Sequence, residues 1–210
     1  MKKFSRLMFF LALAGTCALY GCSGCGSKGT TYQAIVFSDI HFDPYYDTSL
    51  FQALNAADYT EWSNIFAGST VSTPSAWGSD TNYPLLITAL ANIKDRGASS
   101  TVAIFPGDML SHNFSTTFYS LYGSSDYTAM KTFAYKTAAF LATEVRSYLG
   151  TIPVVFELGN NDEYEGDFKL EPNSQFLSDT AEIFYTAFLN STADHQTFLS
   201  TYQAGRVLFR

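Results

Sequence analysis

Cysteine is scarce: there are three in 210 residues and none after Cys25, so the chain beyond that point folds without an internal disulfide. Charge is also sparse. Charged residues make up 15%, with 12 Lys and Arg against 19 Asp and Glu, for a net charge of −7. Lys2, Lys3 and Arg6 stand in the first six residues; the remainder carries 9 basic against 19 acidic residues, a balance of −10. Such a surface repels nucleic-acid phosphates, and no basic cluster offsets it, which excludes a nucleic-acid-binding role. Histidine occurs three times, and only His195 follows residue 162. There is no internal repeat and no linker stretch after residue 30, which leaves one domain or a large part of a bigger one. Apolar and aromatic residues are abundant. At 47% hydrophobic and 17% aromatic, with 19 Phe and 14 Tyr, the chain can build a real core and is not disordered wholesale.

The first residues read as an address. Lys2, Lys3 and Arg6 precede an apolar run of 14 residues from Leu7 to Tyr20, the charged and apolar regions of an export signal. The run is shorter than the ~20 residues of a comfortable membrane span. Leu19-Tyr20-Gly21-Cys22 resembles the lipobox of bacterial lipoproteins, which implies lipidation of Cys22. An ordinary cleaved signal peptide or a buried apolar helix also fits the run. The expected organisation is a signal peptide over 1–21, a flexible tether over 22–31 and a folded domain over 32–210. The expected location is outside the cytoplasm, anchored to a membrane through the lipid or else periplasmic or extracellular. Cys22 and Cys25 form a lone C-x-x-C, which by itself is weak evidence for zinc or redox chemistry.

Beyond the tether, short continuous apolar runs alternate with segments of helical periodicity. Ala34 to Phe37, Val102 to Phe105 and Pro153 to Phe156 read as buried strands, and Arg206 to Phe209 as the start of a fourth. Residues 43–83 read as a long polar excursion with a short helix near Leu50 to Phe66. Asn82 and Pro84 open a helix that Gly97 stops. Further helices are expected over Asp126 to Leu149 and Ser174 to Leu189. The Tyr-rich stretch 118–127 reads as packing or loop surface, and His195 as a surface helix or loop residue. Strands alternating with helices imply an α/β fold with a mostly parallel sheet, whose functional residues gather beyond the strands' carboxyl ends.

Each of the three strands ends in a polar cluster: Ser38-Asp39-Ile40-His41, Gly107-Asp108 with His112 four residues on, and Gly159-Asn160-Asn161-Asp162. Carboxylates, imidazoles and amides brought together at adjacent strand ends suit a two-ion hydrolytic site. Asp39 and His41 can aim at one ion, the two oxygens of Asp108 can bridge two, and Asn160 can offer its amide oxygen to the second. Mixed N/O ligation suits Zn²⁺, with Mn²⁺ or Fe as alternatives. An acidic protein binds phosphate readily when cations lie between them.

The ordered set D-x-H, G-D, G-N resembles the calcineurin-like metallophosphoesterases. Ser38-Asp39-Ile40-His41-Phe42-Asp43-Pro44-Tyr45-Tyr46, His112, the stretch from Asp80 to Leu86, and Phe198 to Tyr202 are similar to the acid-sphingomyelinase-like branch. The resemblance implies the N-terminal half of an α/β/β/α sandwich. It also implies two divalent cations held by Asp39, His41, Asp108 and Asn160, and a phosphoester substrate, either a phospholipid or nucleotide-like. His112 would face the scissile phosphate. The family has a histidine where Asn161 stands here; an amide can bond a phosphate oxygen but supplies no proton, so His112 is left as the general acid. The family completes its site with three more histidines, two of them in a G-H-x-H turn. Only His195 is available here, so the C-terminal half is expected to be missing. The alternative expectation is a truncated or degenerate non-catalytic lipoprotein that keeps half the domain.

Overall fold

A computed structural model describes residues 32–189 and 194–205. The expected signal peptide over 1–21, the tether with Cys22, and the fourth strand over 206–209 lie outside the described residues. The three apolar runs form strands β1 (Ala34–Val36), β2 (Val102–Phe105) and β3 (Val154–Phe156), paired in parallel in that spatial order. The register sets Val36 beside Ile104, and Ile104 beside Val155.

The strands are buried on one face, not two. Ala103, Phe105 and Val154 are almost fully enclosed, whereas Val36, Ile104 and Val155 form a cross-strand apolar row that is 66%, 38% and 55% exposed. Parallel sheets usually have both faces covered. No described element covers this one, and because its outward residues are apolar too, the sequence runs show no alternation.

Local signals place the helices. In the excursion, the single expected helix is two: α1 (Phe51–Ala56) and α2 (Trp62–Ala67). A 3₁₀ turn precedes each, and the carboxylates of Asp47 and Asp58 accept from the turn amides of Ser49 and Thr60. Helix α3 (Tyr83–Arg96) starts where Asn82 accepts from the Leu85 amide and ends at Gly97, as its sequence implies. Helix α4 (Phe114–Tyr122) occupies part of the Tyr-rich stretch and buries Phe114 and Phe118 at i,i+4 spacing. Helix α5 (Tyr127–Leu149) is capped by Asp126. Helix α6 (Gln175–Phe184) passes into a π-turn over Tyr185–Leu189, and α7 (His195–Gln203) follows. No described helix is long and apolar enough to cross a membrane.

The core is aromatic and centres on α5. Phe133 meets the rings of Tyr45, Phe51, Trp62, Phe114 and Phe118 at 5.1–6.1 Å between centroids. Such pairs add about 0.5–1.5 kcal/mol each beyond area burial. At the end of α5, half-buried Arg146 donates to the carbonyls of Gly150 (2.6 Å), Ile152 (2.9 Å), Phe188 (3.0 Å) and Ala187. One guanidinium thus ties the helix end, the approach to β3 and the π-turn together. Arg146→Ala is expected to cost about 2–4 kcal/mol, because it leaves carbonyls without a donor. Arg146→Lys should recover less than half, since an ammonium lacks the planar fork. Urea unfolding of the three proteins measures both.

Candidate metal centre

The clusters stand just past the strand ends, where the backbone continues the sheet ladder in distorted form. The amide of Asp39 donates to Gly107 O (3.1 Å), that of His41 to Asp108 O (2.9 Å) and that of Phe42 to Met109 O (2.8 Å). Phe42 is bridged on both sides, to Thr81 and to Leu110. Within this frame Asp39, His41 and Asp108 all take left-handed backbone angles, with φ of 56°, 41° and 59°. Such conformations cost a non-glycine residue about 1–3 kcal/mol and persist only where the surroundings impose them.

Two glycines permit the packing. A Cβ on Gly107 would fall 2.2 Å from the Gly159 nitrogen, and one on Gly159 would fall 2.3 Å from the Asp108 carboxyl carbon. The turns after β2 and β3 therefore touch backbone to backbone.

The result is a donor group: ligand atoms of Asp39, His41 and Asp108 lie within 4.8 Å of one another. Tetrahedral ligands sharing one ion at ~2.0–2.2 Å stand about 3.3–3.6 Å apart, so the group would close by up to about 1.5 Å around a single cation. His41 is prepared for the part. Its Nδ1 lies 3.2 Å from Leu110 O, an acceptor for a hydrogen carried there, and its Nε2 lies 3.6 Å from Asp39 Oδ1. A backbone carbonyl on the far ring nitrogen is the usual way a metal-binding imidazole is oriented.

Of the other expected residues, Asn161 and His112 touch this group, whereas Asn160 bonds Asp167 instead. Asp108 Oδ1 accepts from the backbone amide (2.9 Å) and the side-chain amide (3.2 Å) of Asn161. The Asn160 side-chain amide donates to Asp167, which fixes its orientation. His112 stacks on His41 with ring centroids 4.3 Å apart. Its Nδ1 lies 2.7 Å from Asp80 Oδ1, and its backbone amide donates to Asp80 Oδ2 at 2.8 Å. Beside Asn161 a cleft of about 190 Å³ opens, lined by Ser111, Asn113, Thr116, Glu163 and Asp167 among others.

Asp162 is fully buried. Its carboxylate accepts from the amides of Asp108 (2.9 Å), Met109 (2.8 Å), Leu110 (3.3 Å) and Gly159 (3.0 Å). Burial, reinforced by the Asp108 charge, outweighs these bonds and lifts its pKa from 3.8 to about 6. Asp162 and Asp108 thus form a reciprocal clamp: each carboxylate accepts from the backbone of the other's turn.

Of the remaining residues singled out, Tyr45 packs in the core against Phe51, Phe114 and Phe133 and does not line the donor group. His195 opens α7 on the surface, pairs with Glu182 at 3.0 Å and meets the ring of Tyr185 at a tilt. Sequence reading gave no role to Asp80 or Asp167, and it saw Asp162 only as part of a cluster. Asp80 stands two residues before the α3 cap, and its partner His112 is 32 residues away, so no local pattern marks the pair. No protein-family model matches the chain, and no curated protein matches it.

Proposed function

We propose that the chain is a metal-dependent hydrolase of phosphoester bonds, chiefly phosphodiesters, of the calcineurin-like metallophosphoesterase kind and nearest in its motifs to the acid-sphingomyelinase-like branch. One observation carries the reading: the donors of Asp39, His41 and Asp108 meet within 4.8 Å just past the carboxyl ends of parallel strands, on backbone held in left-handed conformations. The strain, the carbonyl at His41 Nδ1 and the mixed N/O donor set support a cation, with Zn²⁺ first and Mn²⁺ or Fe as alternatives.

In this reading Asp39, His41 and Asp108 would hold one cation, and Asp108 and Asn160 would serve a second. Bound cations supply charge neutralisation on the phosphate and a more acidic water. Asn161 donates from its amide to a phosphate oxygen. Water oxygen bonds to phosphorus and its proton passes to solvent, the ester P–O bond breaks, and the imidazolium form of His112 delivers its Nε2 proton to the departing oxygen, leaving the ring neutral with its hydrogen on Nδ1. The exposed apolar row of Val36, Ile104 and Val155 supports the half-sandwich reading, because a second sheet layer would cover such a face. The lipobox at Cys22 supports export and membrane anchoring.

A second reading, a non-catalytic lipoprotein, is favoured by one feature. Among the described residues a single group of three such donors meets, and one oxygen of Asp108 is already taken by Asn161. Calorimetric titration of the chelator-treated chain with Zn²⁺ and Mn²⁺, together with hydrolysis of bis-p-nitrophenyl phosphate, separates the two. The enzyme reading expects two ions per chain and a rate that falls by about 10²–10³-fold in Asp108→Ala. One ion or none, with no hydrolysis above background, supports the second reading and ends the first.

A further inference from the structure

We infer that Asp80 is the positioning residue that fixes the orientation and tautomer of His112; the chemical use of that hold rests on the phosphoester reading above. Asp80 comes from the loop between α2 and α3, outside the three strand-end clusters. Both of its oxygens are committed to His112, one to the backbone amide and one to the ring Nδ1. A carboxylate only accepts, so Nδ1 carries the hydrogen of the neutral ring, and Nε2 is the nitrogen left for an outside partner. This is the reverse of the Nε2–H form that a free imidazole prefers.

The hold is significant because little else restrains the ring. The His112 side chain is 59% exposed, and apart from Asp80 its ring contact is the stack on His41. Without Asp80, two soft torsions would let it swing away from the donor group.

Asp80 is itself pinned from the next two residues. Thr81 donates to His41 O (2.9 Å) and accepts from the Asp43 amide (2.8 Å), so it is stitched to the chain that carries His41. Asn82 is buried: it accepts from the Ser75 amide (3.0 Å), donates to Thr73 O (2.9 Å) and caps α3. An isolated surface Asp–His pair contributes little. A two-point grip from an anchored loop, on the one histidine beside a metal ligand, has the construction of a positioning device.

The test has two arms on the full chain. The first is long-range ¹H–¹⁵N correlation of His112, assigned by its loss in His112→Gln, in the presence of chelator and at a pH where the ring is neutral. Wild type is expected in the Nδ1–H form and Asp80→Ala in the Nε2–H form. Asp80→Asn should fall between them, since its one amide oxygen must serve two donors. A wild-type ring in the Nε2–H form, or no change in Asp80→Ala, overturns the inference.

The second arm compares two substrates, bis-p-nitrophenyl phosphate and a glycerophosphodiester whose alkoxide leaves poorly. Asp80→Ala should slow the alkyl ester about 10²-fold and the nitrophenyl ester less than about 3-fold, because only a poor leaving group needs the proton. Cation binding by calorimetry should remain within about twofold, as the donor group is untouched. Equal losses on both esters overturn the role in proton delivery. If wild type hydrolyses neither ester while the tautomer shifts as expected, the phosphoester reading falls and the hold of Asp80 on His112 stands.

Discussion

Asp162→Ala is expected to lower the unfolding free energy by about 3–5 kcal/mol at neutral pH, because it removes a fully buried carboxylate on which four amide donors converge. Four backbone amides, of Asp108, Met109, Leu110 and Gly159, converge on this one carboxylate. No other described group bonds them, and water does not reach the 0% exposed side chain they surround. Asp162→Asn keeps the shape but offers one acceptor oxygen and turns an NH₂ toward donors, so its loss should be nearly as large. The carboxyl titrates at about 6 in the fold, against 3.8 for the ordinary group, because burial dominates. A raised carboxyl pKa means the folded state holds the proton more tightly. This group's contribution is therefore full below about pH 4 and is lost as the pH climbs through about 6, a change on the order of 3 kcal/mol. In chelator, the lead of wild type over Asp162→Asn in urea should shrink across that range. Added Zn²⁺ should restore part of it, since a cation at Asp108 offsets the second negative charge. A lead that stays constant from roughly pH 4 to 7 would refute the raised carboxyl.

The parts of the site that were legible in the sequence were those with a local cause. Asp39 and Asp108 could be placed because each follows an apolar run that forms a strand, and parallel strands bring their carboxyl ends together. Helix α3 was legible from Asn82, Pro84 and Gly97, which act through neighbours a few residues away. The long-range pairings were not legible. Asp162 bonds amides 52–54 residues distant, and Asp80 bonds a histidine 32 away, with nothing periodic to announce either. Helix α4 was obscured because aromatic and hydroxyl residues are indifferent helix formers, so it depends on burying Phe114 and Phe118. The one-sided burial of the sheet was hidden for the opposite reason: its exposed face carries Val36, Ile104 and Val155, which look like core residues.

On the metal-centre reading, Gly159→Ala should weaken cation binding without replacing a ligand. Gly159 has no left-handed angle to lose, so alanine is tolerated by the backbone there and only space decides the outcome. The added methyl would lie 2.3 Å from both the carboxyl carbon and Oδ1 of Asp108 and 2.4 Å from its backbone nitrogen, far inside contact distance. The Asp108 side chain can swing aside, but in doing so it leaves Asn161 and the 4.8 Å donor group. The Asp108 backbone nitrogen cannot rotate away, so the expected result is a cost of about 3 kcal/mol, with cation affinity reduced by at least about 10²-fold. Gly107→Ala adds a conformational cost to a clash of the same kind. Its methyl would meet the Gly159 nitrogen at 2.2 Å, a backbone atom that cannot rotate away, and its φ of 97° suits only glycine. That variant should lose stability as well as binding, by more than about 3 kcal/mol, because the turns after β2 and β3 must separate. Calorimetric titration and urea unfolding of both variants give the comparison. Wild-type cation affinity in Gly159→Ala would mean that Asp108 does not bind the ion from the position it holds against that glycine.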